Sequence, residues 1–246
     1  MTEPRAIFFD MDGTILDWQT GMEESWLASC EHHCDGRYVP GELHEAIRVR
    51  RRWFWDDPDR ANAGRMDLDA SSREIVRRAF EDLRLTDVEL AHRIADDYRA
   101  LRDAAIAPYP GALELLADLR ARGMPMALIT NGAAISQRRS VERFGLARHF
   151  DCVIIEGEFG VGKPDERVFR HAMASCGVDA AGTWMVGDSL EADIAPAVRL
   201  GMHAVWIDAS GGFGGAPSAA PAETSRARGA DVRPHRVIAR IDELLR

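Results

Sequence analysis

Ala6-Ile7-Phe8-Phe9-Asp10-Met11-Asp12-Gly13-Thr14 is a run of four apolar residues that ends in two carboxylates and a glycine. A run this short and this uniformly apolar predicts a strand buried on both faces, the condition of a parallel sheet covered by helices. Gly13 marks the turn out of the strand. The two carboxylates then stand at the carboxyl end of the strand, where open parallel sheets bind their ligands.

Outward from this strand, the C-terminal part of the chain alternates regularly. Residues 113–122 read as a helix stopped by Gly123, 124–129 as a strand, 136–144 as a helix stopped by Gly145, and 152–155 as a strand. A helix at 166–176, a strand at 183–186, a helix at 190–200 and a strand at 204–207 follow. This alternation predicts an α/β fold with a doubly wound parallel sheet and right-handed crossovers. Residues 237–245, apolar at Val237, Ile238, Ile241, Leu244 and Leu245, predict a last helix. The Gly, Ala, Pro and Ser-rich stretch 210–222 predicts a loop or linker, and its glycines lack the following helix that a phosphate cradle needs.

Residues 17–107 differ in character. They are highly charged and place apolar side chains at helical spacing, as at Ile75, Ala79 and Leu83 or Leu90, Ile94 and Leu101. This predicts a helical domain at 17–107 inserted into a core domain of residues 1–16 and 108–246. Within it, residues 48–58 mix arginines with aromatics, fitting either an anion-recognising surface or a helix with a solvated basic face. Cys30 and Cys34 share a helix face but have no second pair to close a zinc site.

Composition limits the functions open to the chain. With 40 acidic against 31 basic side chains, a formal charge of -9 opposes binding to a nucleic acid polymer or an anionic membrane. No apolar run approaches the roughly 20 residues that span a bilayer. The first residues lack a signal peptide's succession, and four irregularly spaced cysteines suit a reducing compartment, so a cytoplasmic monomer or homodimer is expected.

The strand ends carry the chemistry. The first ends in Asp10 and Asp12, the second in Thr130-Asn131-Gly132; Gly162-Lys163-Pro164 follows the third, and the fourth ends in Gly187-Asp188-Ser189 with Glu191 and Asp193 close behind. Lys163 is the only lysine among 31 basic residues. Carboxylates gathered in one crevice repel unless a cation or shifted protonation relieves them. An all-oxygen set suits Mg2+, with Asp10, Asp12 and Asp188 as its expected neighbours. A carboxylate can also attack phosphorus, and a second one two residues along can protonate the leaving oxygen and then activate water. Thr130, the amides of Asn131 and Gly132, and Lys163 suit the charge on the equatorial phosphoryl oxygens.

These four elements resemble, in order, the four motifs of the haloacid dehalogenase-like hydrolase superfamily, in its subfamily with a helical cap inserted after the first strand. They span Ala6 to Asp193. The resemblance implies Asp10 as nucleophile and Asp12 as general acid and base, the latter also binding Mg2+ through its backbone carbonyl. It implies Thr130 and Lys163 as phosphate-binding, Asp188 as a metal ligand, and Asp193 and Thr14 as supporting residues. Glu191 reads as a surface charge. An aspartate at position 12 distinguishes the superfamily's phosphatases from its 2-haloacid dehalogenases, whereas sugar phosphomutases keep both aspartates. A phosphomonoester hydrolase acting on a small phosphorylated metabolite is therefore the first expectation. Behind it stand a sugar phosphomutase, a dehalogenase and a non-catalytic Mg2+-binding regulatory protein. The Thr130-Asn131-Gly132 form leans toward the nucleotidase and acylneuraminate-phosphatase branches.

Overall fold

The computed structural model describes residues 3–208 and 232–245, so the stretch 210–222 falls outside them. The chain divides into two compact units, Met1–Asp17 with Ala107–Arg246, and Trp18–Ile106. In chain order the first unit begins with β1 (Ala6–Phe9) and β2 (Leu16–Asp17). The second holds α1 (Met22–His32), α2 (Pro40–Trp55), α3 (Pro58–Gly64), α4 (Leu68–Asp82) and α5 (Val88–Ala105). The chain returns through β3 (Ala107–Pro108), α6 (Ala112–Ala121), β4 (Met126–Thr130), α7 (Ala134–Arg143), β5 (Cys152–Ile155) and α8 (Glu156–Phe159). It closes with α9 (Glu166–Cys176), β6 (Thr183–Gly187), α10 (Ala195–Arg199), β7 (His203–Ile207) and β8 (Arg236–Ile238).

Six strands form one sheet in the order β5-β4-β1-β6-β7-β8, with every neighbouring pair parallel. The doubly wound sheet is thus present, with β1 near its centre. All four residues of β1 are buried. Ala6 and Phe8 join Ala127, Ile129, Met185, Ala204 and the α9 residues Phe169 and Ala172 in one hydrophobic cluster. Ile7 and Phe9 point the other way, as alternate strand residues must, and Phe9 meets Phe150 edge-on at 6.2 Å. Two covered faces are the reason the run shows no polar alternation.

Two elements differ from the sequence expectation. Residues 237–245 form β8 and a 3-10 turn at Ile241–Glu243 instead of a helix. Val237 and Ile238 pair with Trp206 and Ile207, satisfying backbone groups that the edge of β7 would otherwise leave open. Nine residues of helix could not compete with that ladder, and apolar positions three apart fit both arrangements. Residues 190–200 are a π-helical turn, Leu190–Ile194, leading into α10. Pro196 lacks the N–H that a continuous helix would need there, and Ile194 N–H reaches back five residues to Ser189 O at 3.2 Å.

The helical unit has its own core, including Trp26, Leu43, Ile47, Phe54, Ile75, Phe80 and Ile94. Asp67 and Asp87 accept from the amides of Ala70 and Leu90 and so cap α4 and α5. The basic stretch of α2 is engaged within this unit. Arg50 pairs with Asp82, Arg51 with Glu23, and the guanidiniums of Arg60 and Arg78 lie 4.0 and 4.5 Å from the Trp53 ring centroid. Cys30 is buried, and burial pushes its thiol up to about 12, while Cys34 is exposed. No helix among the described residues is long and apolar enough to cross a membrane.

Candidate active site

The residue after β1 is Asp10, and its N–H donates to Val186 O at 2.9 Å, carrying the β1–β6 ladder one step past the strand. That bond holds the start of the turn in place, and the residue is only 7% exposed. Lys163 Nζ donates to Asp10 Oδ1 at 2.6 Å and lies 2.6 Å from Asp193 Oδ1. The second contact is an ion pair by distance, without the alignment of a hydrogen bond. Burial alone would lower the pKa of Lys163; Asp10 and Asp193 outweigh it and hold the ammonium above its ordinary value. The lysine therefore stays charged although its side chain is 2% exposed.

The π-turn presents Asp193. Its Oδ2 accepts from Ser189 N–H at 3.0 Å, and a Cβ on Gly187 would come within 2.3 Å of the same oxygen, so the last residue of β6 has to be glycine. Burial drives the Asp193 carboxyl up and Asp10 adds to the effect against Lys163, leaving it at about 6. Asp188 follows β6, and its backbone carbonyl accepts from Trp206 Nε1 at 2.8 Å. Its carboxylate is enclosed against Gly13, where a Cβ would sit 2.2 Å from Oδ2 and where φ is +85°. Burial, then the charges of Asp10 and Asp193, push Asp188 well above the usual carboxylate range. Asp10, Asp188 and Asp193 can each offer one oxygen with all three within 4.8 Å, a set that could hold a metal ion.

Asp12 is half-buried, and its Oδ2 accepts from Gln137 Nε2 at 2.9 Å. Thr130 ends β4 and is 2% exposed. The Asn131 side chain binds the backbone of Lys163 from both sides: Nδ2 donates to Lys163 O at 2.6 Å, and Oδ1 accepts from Lys163 N–H at 2.7 Å. Gly132 N–H donates to Glu156 Oε2 at 2.9 Å. The amides that the sequence assigned to phosphate thus belong to a loop whose side chain and N–H already have protein partners. Thr14 is fully buried and its Oγ1 makes no hydrogen bond, while Glu191 is exposed.

Sequence reasoning overlooked Gln137 and Glu156. Both lie outside the short strand-end runs, on helices α7 and α8, and nothing in local spacing links position 137 to position 12. A glutamine five residues beyond Gly132, one turn into the helix after β4, is the signal that was there to find.

A family model described as haloacid dehalogenase-like hydrolase matches residues 4–201, and one described as HAD-hydrolase-like matches 160–244. The chain belongs to the haloacid dehalogenase-like hydrolases. This hydrolase is 46% identical over 100 residues to a phosphoserine phosphatase of Thermus thermophilus, an alignment covering 41% of the chain and 40% of that enzyme. It thus spans less than half the length of that relative. It is 29% identical over 232 residues to an N-acylneuraminate-9-phosphatase of Mus musculus, covering 86% and 85% of the two chains. Among solved structures the hydrolase superposes on the magnesium-bound HAD-hydrolase YfnB of Bacillus subtilis with a TM-score of 0.69, at 20% identity and covering 99% and 97%. That likeness is one of fold.

Proposed function

We propose that the chain is a Mg2+-dependent phosphomonoester hydrolase that acts on a small phosphorylated metabolite through an aspartyl-phosphate on Asp10. The observation that carries this reading is the cluster of Asp10, Asp193 and half-buried Asp188, with the single ammonium of Lys163 between Asp10 and Asp193 and with Asp12 two residues from Asp10. Three carboxylates and one lysine leave an uncompensated negative charge, which adds to burial in pushing Asp188 and Asp193 up. An all-oxygen donor set with that charge fits a hard divalent cation. Asp10, Asp188 and the backbone carbonyl of Asp12 are the proposed holders of Mg2+, with Asp193 in support. Mg2+ there would neutralise charge on the phosphoryl oxygens.

The chain's own residues supply the steps. Lys163 fixes one oxygen of Asp10 and so orients the carboxylate that attacks phosphorus. As the new P–O bond to Asp10 forms, the ester P–O bond breaks, and Asp12 gives its proton to the departing oxygen. Asp12, now a carboxylate, takes a proton from water as that water attacks the aspartyl-phosphate, releasing phosphate and restoring Asp10. Thr130 and Lys163 bind the phosphoryl oxygens. The dehalogenase alternative is disfavoured because Asp12 would have no leaving oxygen to protonate. The reading assigns substrate choice to the helical unit. The names of the relatives suggest phosphorylated amino acids, trioses, nucleotides and acylneuraminates as its candidates.

Phosphate release from p-nitrophenyl phosphate, with and without Mg2+ and again with Asp10→Asn, tests the mechanism. Turnover should require Mg2+ and vanish in the variant. Metal-independent or mutation-insensitive release would overturn it. A panel of the four substrate classes at fixed Mg2+ then identifies the preferred ester.

A further inference from the structure

Gln137 makes two hydrogen bonds with one nitrogen: Nε2 donates to Asp12 Oδ2 and to the backbone carbonyl of Asn131, each at 2.9 Å. A carboxamide nitrogen has two hydrogens, and both are used on acceptors. The reverse orientation would set Oε1 against two oxygens, so the partners fix which way the amide faces. From this geometry we propose that Gln137 is a positioning residue for the general-acid step, holding Asp12 in register with the nucleophile. The proposal rests on the phosphatase reading above.

The hold is rigid at its other end. Gln137 sits in the first turns of α7, its N–H bonded to Ala133 O at 3.1 Å. Its side chain passes over Gly132, where a Cβ would approach Nε2 to 2.8 Å and where φ is +126°, so a glycine is needed at that point. Asn131, whose carbonyl takes the second bond, also clasps the backbone of Lys163, and Lys163 Nζ holds Asp10. One loop therefore positions both carboxylates: Asp10 by way of Lys163, Asp12 by way of Gln137. With Oδ2 accepting from Gln137, the proton to be transferred sits on Oδ1. During transfer the Asp10–phosphorus bond forms, the ester P–O bond breaks, and this proton passes to the leaving oxygen.

An alkoxide needs that proton as it departs, and p-nitrophenolate does not. Leaving-group dependence therefore separates positioning of the acid from general damage to the fold. The kcat/KM value reports the steps up to departure of the leaving group. In Mg2+-loaded Gln137→Leu it should fall about 100-fold for the fastest alkyl phosphate of the panel. For p-nitrophenyl phosphate it should fall less than about threefold. Gln137→Glu, which keeps the shape and removes both donors, should show the same split and carries the test if the leucine variant fails to fold. Equal losses on the two esters, with an active wild type, would overturn the inference alone. A wild type that turns over neither ester would bring down the phosphatase reading and this inference together.

Discussion

Lys163 brings the ammonium of the chain's only lysine to a position 2% exposed, between two carboxylates at 2.6 Å. Its lone occurrence among 31 basic residues made it conspicuous in the sequence, and a compact point charge can meet two carboxylates at once where a planar guanidinium demands a different geometry. Removing one partner of a buried ion pair leaves the other charge uncompensated. Lys163→Met in the metal-free protein should therefore lower unfolding stability by about 3–5 kcal/mol, read from the urea midpoint at constant slope. Lys163→Arg should not restore it. A midpoint unchanged by the methionine would mean that Asp10 and Asp193 do not depend on the lysine for their charge balance. Gln137 shows the opposite case in legibility. A polar residue on an amphipathic helix reads as surface, and only the three-dimensional approach of α7 to the β1 turn gives it a partner at position 12.

At the level of elements, the sheet was readable because buried parallel strands are uniformly apolar and each is set off by glycine or proline. What escaped was decided by competition between ladders and helices: β8 takes an open strand edge, and the π-turn at Leu190–Ile194 turns Asp193 inward ahead of Pro196. The 3-10 turn Leu146–His149 before β5 supplies a pH prediction. His149 is buried, and Arg148 Nε donates to its Nε2 at 3.1 Å, so that nitrogen carries no proton. Burial first, then the charges of Arg148 and Arg120, hold its pKa below the ordinary 6.5. A histidine depressed in the folded state contributes stability that is present above the unfolded value and is lost as pH falls through the folded one. Wild-type stability should thus decline from pH 7.5 toward pH 5 more steeply than that of His149→Gln, followed by urea unfolding at each pH. Parallel pH profiles for the two proteins would remove His149 from the acid sensitivity of this turn.

At the scale of the whole molecule, the two units carry separate hydrophobic cores, and the chain leaves and re-enters the sheet unit at one place. There Asp17 lies opposite Ala107 and Leu16 opposite Pro108 in an antiparallel pair, extended by Tyr109 N–H to Ile15 O at 2.8 Å. Opposed residues of an antiparallel pair have Cα atoms only about 5 Å apart, a gap that a two-residue type I′ turn closes in the twist the strands already have. Replacing residues 18–106 by Asn-Gly should therefore give a chain that still unfolds in one cooperative step, with a midpoint within about 10 °C of the parent. Under the proposed function it should also hydrolyse p-nitrophenyl phosphate and lose discrimination among the natural esters, since every residue assigned to the chemistry lies outside the excised stretch. Loss of cooperative unfolding would show that the sheet unit is not self-sufficient. A shortened chain that folds and still prefers the parent's substrate would place selectivity in the sheet unit, and mutagenesis for specificity would then begin at the strand ends instead of in the helices.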